Sequence, residues 1–296
     1  MYLTPAPLLY FTYEGLGKEN VNVDQFLWYQ RTSNFFQAIA QGNFVETYQK
    51  YHPGVLLMYL IKAGTLTYKF LTGGSANFDF VPPESFHIFN FWTKFYLVTF
   101  ILLLLILSAF FLYKITSSRV VPLIFLLILI LEPYFIGNLR NLHMDTLVAV
   151  LIFSTVMTFM AGIKTKKTTY FMAAGILSGL GLLTKSLCLS AIMLNFLIMI
   201  YFLVFHKSDR VWLLKMFGLS LFVGIILFVA LFPAMWVSPV STIAKIINRG
   251  IIRTGLEGGD NFTHFVNGTQ VSDPGPIFYL HIFRYRFSLL LQVLGG

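Results

Sequence analysis

Long runs without a single charge constrain this chain more than any other feature. Phe95–Tyr113, Thr146–Ile163, Thr168–Thr184, Ser186–Phe205 and Met216–Trp236 contain no Asp, Glu, Lys or Arg. Each is close to the roughly 17–25 apolar residues that cross a bilayer core. Val120–Gly137 is similar, with Glu132 late in the run. Only 11% of the chain is charged and 57% is hydrophobic, whereas about a quarter of an ordinary soluble domain is charged. The expected fold is an all-α polytopic membrane protein of one domain. Residues 1–90 read as an outer loop with interfacial helices and 91–236 as six transmembrane spans. Residues 237–286 read as a second outer loop. Residues 287–296 begin another apolar run, which makes the chain look like an N-terminal fragment.

The short loops set the orientation. Lys114 and Arg119, then Lys164, Lys166 and Lys167, then Lys207, Arg210 and Lys215 lie between spans, against the single acid Asp209. Cationic short loops stay in the cytoplasm. The other side then holds residues 1–90, the turn Asn138–Asp145, the hairpin at Lys185 and the loop from Val237. The net charge of +9 has no basic run to suit nucleic acid, and suits anionic headgroups instead. The lone Cys188 permits no disulfide within the chain and says nothing of redox compartment.

Six polar groups collect on the outer side: Asp24, His52, Arg140, His143, Asp145 and Lys185. Ionisable side chains near hydrocarbon are functional candidates. Asp24 opens a surface helix, Asp24–Gln41, whose apolar residues Phe26, Leu27, Phe35, Phe36, Ile39 and Ala40 suit the interface. It is a preferred N-cap type and also a candidate general base. His52 precedes Pro53-Gly54 and an interfacial helix, Val55–Leu71; alone it reads as a structural hydrogen-bonding group. Asn138–Asp145 packs a cation, an imidazole and a carboxylate into one turn. It reads either as a turn with Asp145 as helix cap or as a headgroup site with Arg140 on phosphate. A divalent metal on His143 and Asp145 has two ligands, fewer than a site needs.

Gly175, Ser178 and Gly179 fit close helix packing in lipid. That leaves Lys185, which either snorkels or meets a phosphate. Asp273–Tyr279, with Arg284 and Arg286 after it, re-enters the membrane, and the arginines either anchor the run or face phosphate. Asn261-Phe-Thr263 and Asn267-Gly-Thr269 match a glycosylation acceptor pattern in the second outer loop.

In order along the chain stand Asp24, Thr47-Tyr48, His52-Pro53-Gly54, Glu132-Pro133-Tyr134, Arg140-x-x-His143-x-Asp145, Gly179-Leu-x-x-Leu-Thr184-Lys185, Phe232-Pro233-Ala234-x-Trp236 and Asp273-Pro-Gly-Pro-x-Phe-Tyr279. Together these resemble the GT-C superfamily of membrane glycosyltransferases, in the branch of protein O-mannosyltransferases and lipid A aminoarabinose transferases. The resemblance covers roughly Val23 to Ser288. It implies transfer of a sugar from a polyprenyl-phosphate carrier, with inversion, to a protein, lipid or polysaccharide acceptor of the cell envelope. It implies that Asp24 is the general base and Asp145 a second acidic position. It implies that Lys185 and Arg286 lie near the carrier phosphate and that His52 starts the family's His-Pro motif; Arg140, His143, Tyr279 and Arg284 join them as candidate substrate- or phosphate-binding residues. The chain departs from the family in Gln25, where many relatives have a second acid, and in Gly54, where many have proline. The missing acid bears on any divalent metal. The membrane expected is a bacterial plasma membrane. The rival readings are a non-catalytic glycan-assembly subunit and a lipid-linked sugar transporter. A transporter would need charges near mid-bilayer, whereas these lie at span ends.

Overall fold

The computed structural model describes residues 23–205, 210–248, 264–266 and 269–271, with single positions at 275 and 278. Among them the regular structure is helical apart from one small hairpin. The interfacial helices are α1 (Val23–Ala40) and α2 (Val55–Thr72). Then come α3 (Phe86–Thr116), α4 (Val120–Leu131), α5 (Pro133–Leu139), α6 (Met144–Thr165), α7 (Thr168–Thr184), α8 (Leu189–Phe205) and α9 (Arg210–Leu231). Short helices α10 (Ala234–Val237) and α11 (Pro239–Ile247) follow. Strands β1 (His264–Val266) and β2 (Thr269–Val271) pair antiparallel with Phe265 opposite Gln270.

Among the described residues four helices are long and apolar enough to cross a membrane, and five if α4 and α5 count as one broken span. The all-α polytopic reading therefore stands. One of the six apolar runs read from the sequence is broken rather than a single helix. Val120–Gly137 bends by 72° between α4 and α5. Pro133 has no N–H and disfavours a helical residue before it, so Glu132 is extended at φ −86°, ψ 107° and its carboxylate accepts from Tyr134 N–H. The run Met216–Trp236 is also displaced. Its helix starts at Arg210, taking in Lys215, and stops at Leu231 ahead of Pro233. At 17 residues α7 is shorter than a full span, yet it follows the length of α6. It starts just after α6 ends, and Lys185 beyond its last turn reaches Asp145 in the first turn of α6.

The two ends of the bundle are thus defined by contacts. At one end Lys164 of α6 donates to the Ile115 carbonyl and the Ser117 hydroxyl at the close of α3. At the other lie Asp145, Lys185 and α1. The 22 residues of α6 hold the ends about 33 Å apart. Midway, Ser108 and Ser154 share a 2.7 Å hydrogen bond between α3 and α6. Small residues let α7 and α9 meet backbone to backbone. A Cβ on Gly175 would lie 2.4 Å from the Ser220 carbonyl, and one on Gly179 2.7 Å from that of Gly224. The outward faces of α3, α4, α8 and α9 expose Leu103, Ile106, Leu123, Ile130, Leu197 and Ile225, the surface a bilayer would cover.

Helices α1 and α2 cap the end opposite Lys164. Gly64 of α2 lies against the backbone of Thr93 in α3, where a Cβ would come within 2.5 Å of the Thr93 Cα. Aromatic rings of α1, α3 and the intervening loop fill the space beneath, with Tyr29, Phe78, Phe86 and Phe89 buried and in mutual contact.

Candidate active site

Four side chains from three separated segments form one line at the capped end. Asp24 lies in the first turn of α1, one residue past its start, rather than at the cap. Its Oδ2 is 3.4 Å from His143 Nε2. On the ring's other side His143 Nδ1 is 3.3 Å from Asp145 Oδ2, and Asp145 Oδ1 receives Lys185 Nζ at 3.0 Å. Carboxylate, imidazole, carboxylate and ammonium therefore alternate. The carboxylates are the open members, with Asp24 49% and Asp145 63% exposed, while His143 and Lys185 are about half as exposed at 25% and 23%.

His143, not Asp145, is the N-cap of α6. Its extended backbone lets Nδ1 accept from the Asp145 N–H at 3.3 Å. That bond and the contact with the Asp145 carboxylate need different states of one nitrogen. A neutral ring caps the helix through its Nδ1 lone pair and points Nε2–H at Asp24. The imidazolium presents an N–H to each carboxylate. Its hydrogen bond to Asp145 and the pull of both carboxylates outweigh burial and the Lys185 charge, so the His143 pKa is raised above its ordinary 6.5. The charged form is the one that joins the two acids.

His52 reaches the same end by a different route. Gly54 N–H donates to the Thr184 carbonyl at 3.0 Å, which docks the His52-Pro53-Gly54 turn on the last turn of α7. Gly54 is left-handed at φ +61°, and a Cβ there would sit 2.3 Å from the Trp28 ring. Proline is locked near −65°, so the backbone itself explains glycine in place of the second proline. Burial, then the charges of Lys185 and Lys50, push His52 down to about 4. Its Nδ1 is buried and without a hydrogen-bond partner in the protein. It is a neutral ring held beside the ionic line.

The remaining sequence candidates divide. Arg140 is not in the line. It caps α5 and turns into a separate cleft with His87 and Lys94. Three residues of separation in sequence placed it near His143, but the irregular Asn141–Leu142 link between α5 and α6 reorients it. Tyr279, Arg284 and Arg286 lie outside the described residues, as do Asn261 and Asn267. Trp236 proves architectural. Its Nε1 donates to the Val229 carbonyl at 2.7 Å and its ring meets Phe44 edge-on. Among the described residues no group of three His, Cys, Asp or Glu is arranged to hold a metal. The oxygens of Asp24 and Asp145 face opposite nitrogens of one ring rather than a common centre, so a divalent metal does not fit this donor set.

Sequence reasoning missed the buried support under Asp24. Gln25 is fully buried, and its Nε2 donates to Asn90 Oδ1 at 2.6 Å and to Tyr29 OH at 2.9 Å. Tyr29 OH also lies 2.8 Å from Thr93 Oγ1. This network fixes the first turn of α1 to α3. Asn90, a polar residue just ahead of the long apolar run Phe95–Tyr113, was the available signal.

The fold and this site define an integral membrane protein with an acid–base pair at one end of its bundle. A half-exposed carboxylate backed by an imidazolium can take a proton from a hydroxyl. The sequence profile of the dolichyl-phosphate-mannose-protein mannosyltransferases matches residues 83–236, just over half of the chain. The chain belongs to this family, and it is a membrane glycosyltransferase. The match spans α3 to α10 and so includes His143, Asp145 and Lys185, but not Asp24 or His52. Neither curated proteins nor solved structures give a significant match.

Proposed function

We propose that this protein transfers a sugar from a polyprenyl-phosphate carrier to a hydroxyl of a protein acceptor outside the cytoplasm, with inversion at the anomeric carbon. The observation that carries this reading is the Asp24–His143 pair, set at the end of the bundle away from the cationic loops. Asp24 accepts the proton of the acceptor hydroxyl as its oxygen bonds to the anomeric carbon. The bond from that carbon to the phosphate oxygen breaks, and its electron pair leaves on the carrier phosphate. His143 keeps the Asp24 carboxylate oriented. Asp145 fixes His143 and Lys185, and Lys185 meets the charge that grows on the leaving phosphate. Arg284 and Arg286 are assigned to the same phosphate, and Tyr279 and neutral His52 to the sugar. The protein acceptor follows from the family's description. The membrane is assigned as a bacterial plasma membrane with the site facing outward.

The test is transfer in membranes from labelled polyprenyl-phosphate mannose, using the full-length gene product. Asp24→Asn keeps the size and most hydrogen bonds of the side chain but cannot take a proton. Loss of a general base typically costs about 10²–10⁴ in rate, so label should move in wild type and fall to near background in the variant, with equal amounts of inserted protein. Undiminished transfer by Asp24→Asn would remove the base from the reading.

A further inference from the structure

A second cleft, of about 520 Å³, opens beside the outer half of α3. Its lining includes the cationic side chains Lys94 and Arg140 and the exposed His87, and among the described residues it includes no Asp or Glu. Phe91, Phe95 and Leu102 continue it along α3, each substantially exposed. His87, Phe91, Phe95 and Leu102 recur at helical spacing and share one face. From His87 to Leu102 the cleft follows about 22 Å of helix, from the capped end toward the middle of the span. Lys94 stands directly ahead of the charge-free run that opens at Phe95, where a long cationic side chain near a span's end reaches the headgroup layer. A volume of this order suits a small amphiphile's head and upper chain.

The cleft is walled off from the ionic line. None of Asp24, His52, His143, Asp145 or Lys185 lines it. Asn90 forms the partition, lining the cleft on one side and holding Gln25 on the other. A phosphate in this cleft is therefore not placed for displacement by a nucleophile activated at Asp24.

We infer that this cleft binds an anionic phospholipid of the bilayer, its phosphate between Lys94 and Arg140 and an acyl chain along Phe91, Phe95 and Leu102. This goes beyond the transferase reading and does not depend on it. Arg140, assigned from the sequence to a headgroup, keeps that chemistry but belongs to a structural lipid. The occupant reports to the site through Asn90 and Gln25, the neighbour of Asp24.

Native mass spectrometry of the full chain, loaded with equal phosphatidylglycerol and phosphatidylcholine, reads the occupant directly. Wild type should retain phosphatidylglycerol preferentially. The Lys94→Gln/Arg140→Gln variant should lose that preference by roughly 25-fold, about fivefold for each cation near a lipid surface. Lys185→Gln should leave it unchanged. No headgroup preference in wild type, or an unchanged one in the double variant, overturns the proposal. So does displacement of phosphatidylglycerol by equimolar polyprenyl phosphate, which would make the cleft the carrier's. A photoactivatable phosphatidylglycerol supplies a readout without any substitution. Label concentrated on residues 87–102 supports the site, and label spread evenly over α8 and α9 refutes it.

Discussion

His143 and His52 sit at one end of the bundle and titrate in opposite directions, which gives the protein two separable pH dependences. The His143 pKa is raised by Asp145 and Asp24. Its ion pairing therefore stabilises the fold fully below about 6.5, where the unfolded chain is also charged, and is lost as pH rises through the raised value. Thermal unfolding in lipid nanodiscs should show His143→Gln weakened near pH 6 and converging on wild type at alkaline pH. His52 is held neutral down to about 4. The unfolded chain takes up that proton first, so stability falls as pH drops from about 6.5 to about 4 and levels off below. His52→Gln should flatten that acidic decline while leaving the alkaline one in place. The sequence made five members of the site legible, because charge in so apolar a chain is conspicuous. It could not give Arg140 its direction, since a spacing of three fixes a shared face only inside a continuous helix, and the α5–α6 link is irregular. Gln25 was legible only as a missing acid. Its packing shows why an acid would be poorly placed here, for a second carboxylate would face the Asn90 carbonyl oxygen that now accepts from the amide.

Helices were legible from their apolar runs, and their breaks from proline, but not which helices would touch. Gly175, Ser178 and Gly179 announced a close crossing without naming α9 as the partner. The partner surface of Ser220 and Gly224 looks like any other small-residue pair in an apolar run. The contact is tight enough to test. Gly175→Val would drive a branched side chain into the Ser220 carbonyl, and overpacking of this kind costs about 1–3 kcal/mol. Reduced thermal stability in detergent should follow, with α7 displaced and transfer reduced through Lys185. The bend at Pro133 offers a contrasting case. Pro133→Ala restores an N–H and permits Glu132 to become helical, so α4 and α5 should straighten. Spin labels at Val121 and Gly137, both on lipid-accessible helices, should move apart in the variant. A distance unchanged by alanine would show that packing, rather than the proline, sets the 72° bend.

At the scale of the whole molecule the charges divide between two ends that contacts keep apart. Lys164 closes one end on Ile115 and Ser117, and the Asp24–His143–Asp145–Lys185 line closes the other. In intact cells Asn141→Cys should react with a membrane-impermeant maleimide, and Ser117→Cys only after lysis. Native Cys188 is buried and contributes little background. The reverse pattern would place the site in the cytoplasm. The hydrogen bond from Gly54 to Thr184 also bears on how such a site is made. Gly54 leaves the ribosome about 130 residues ahead of its acceptor, and Asp24 precedes His143 by nearly as many. At about 5–20 residues per second, translation keeps the first half waiting for roughly 6–26 s. The Gly54 N–H has no acceptor until α7 has been threaded and the Thr184 carbonyl presented. The completed site is therefore a report on completed insertion, since a chain stalled or misthreaded before α7 keeps the Gln25–Asn90 anchor but lacks the Thr184 carbonyl that docks Gly54 and the Lys185 that pairs with Asp145.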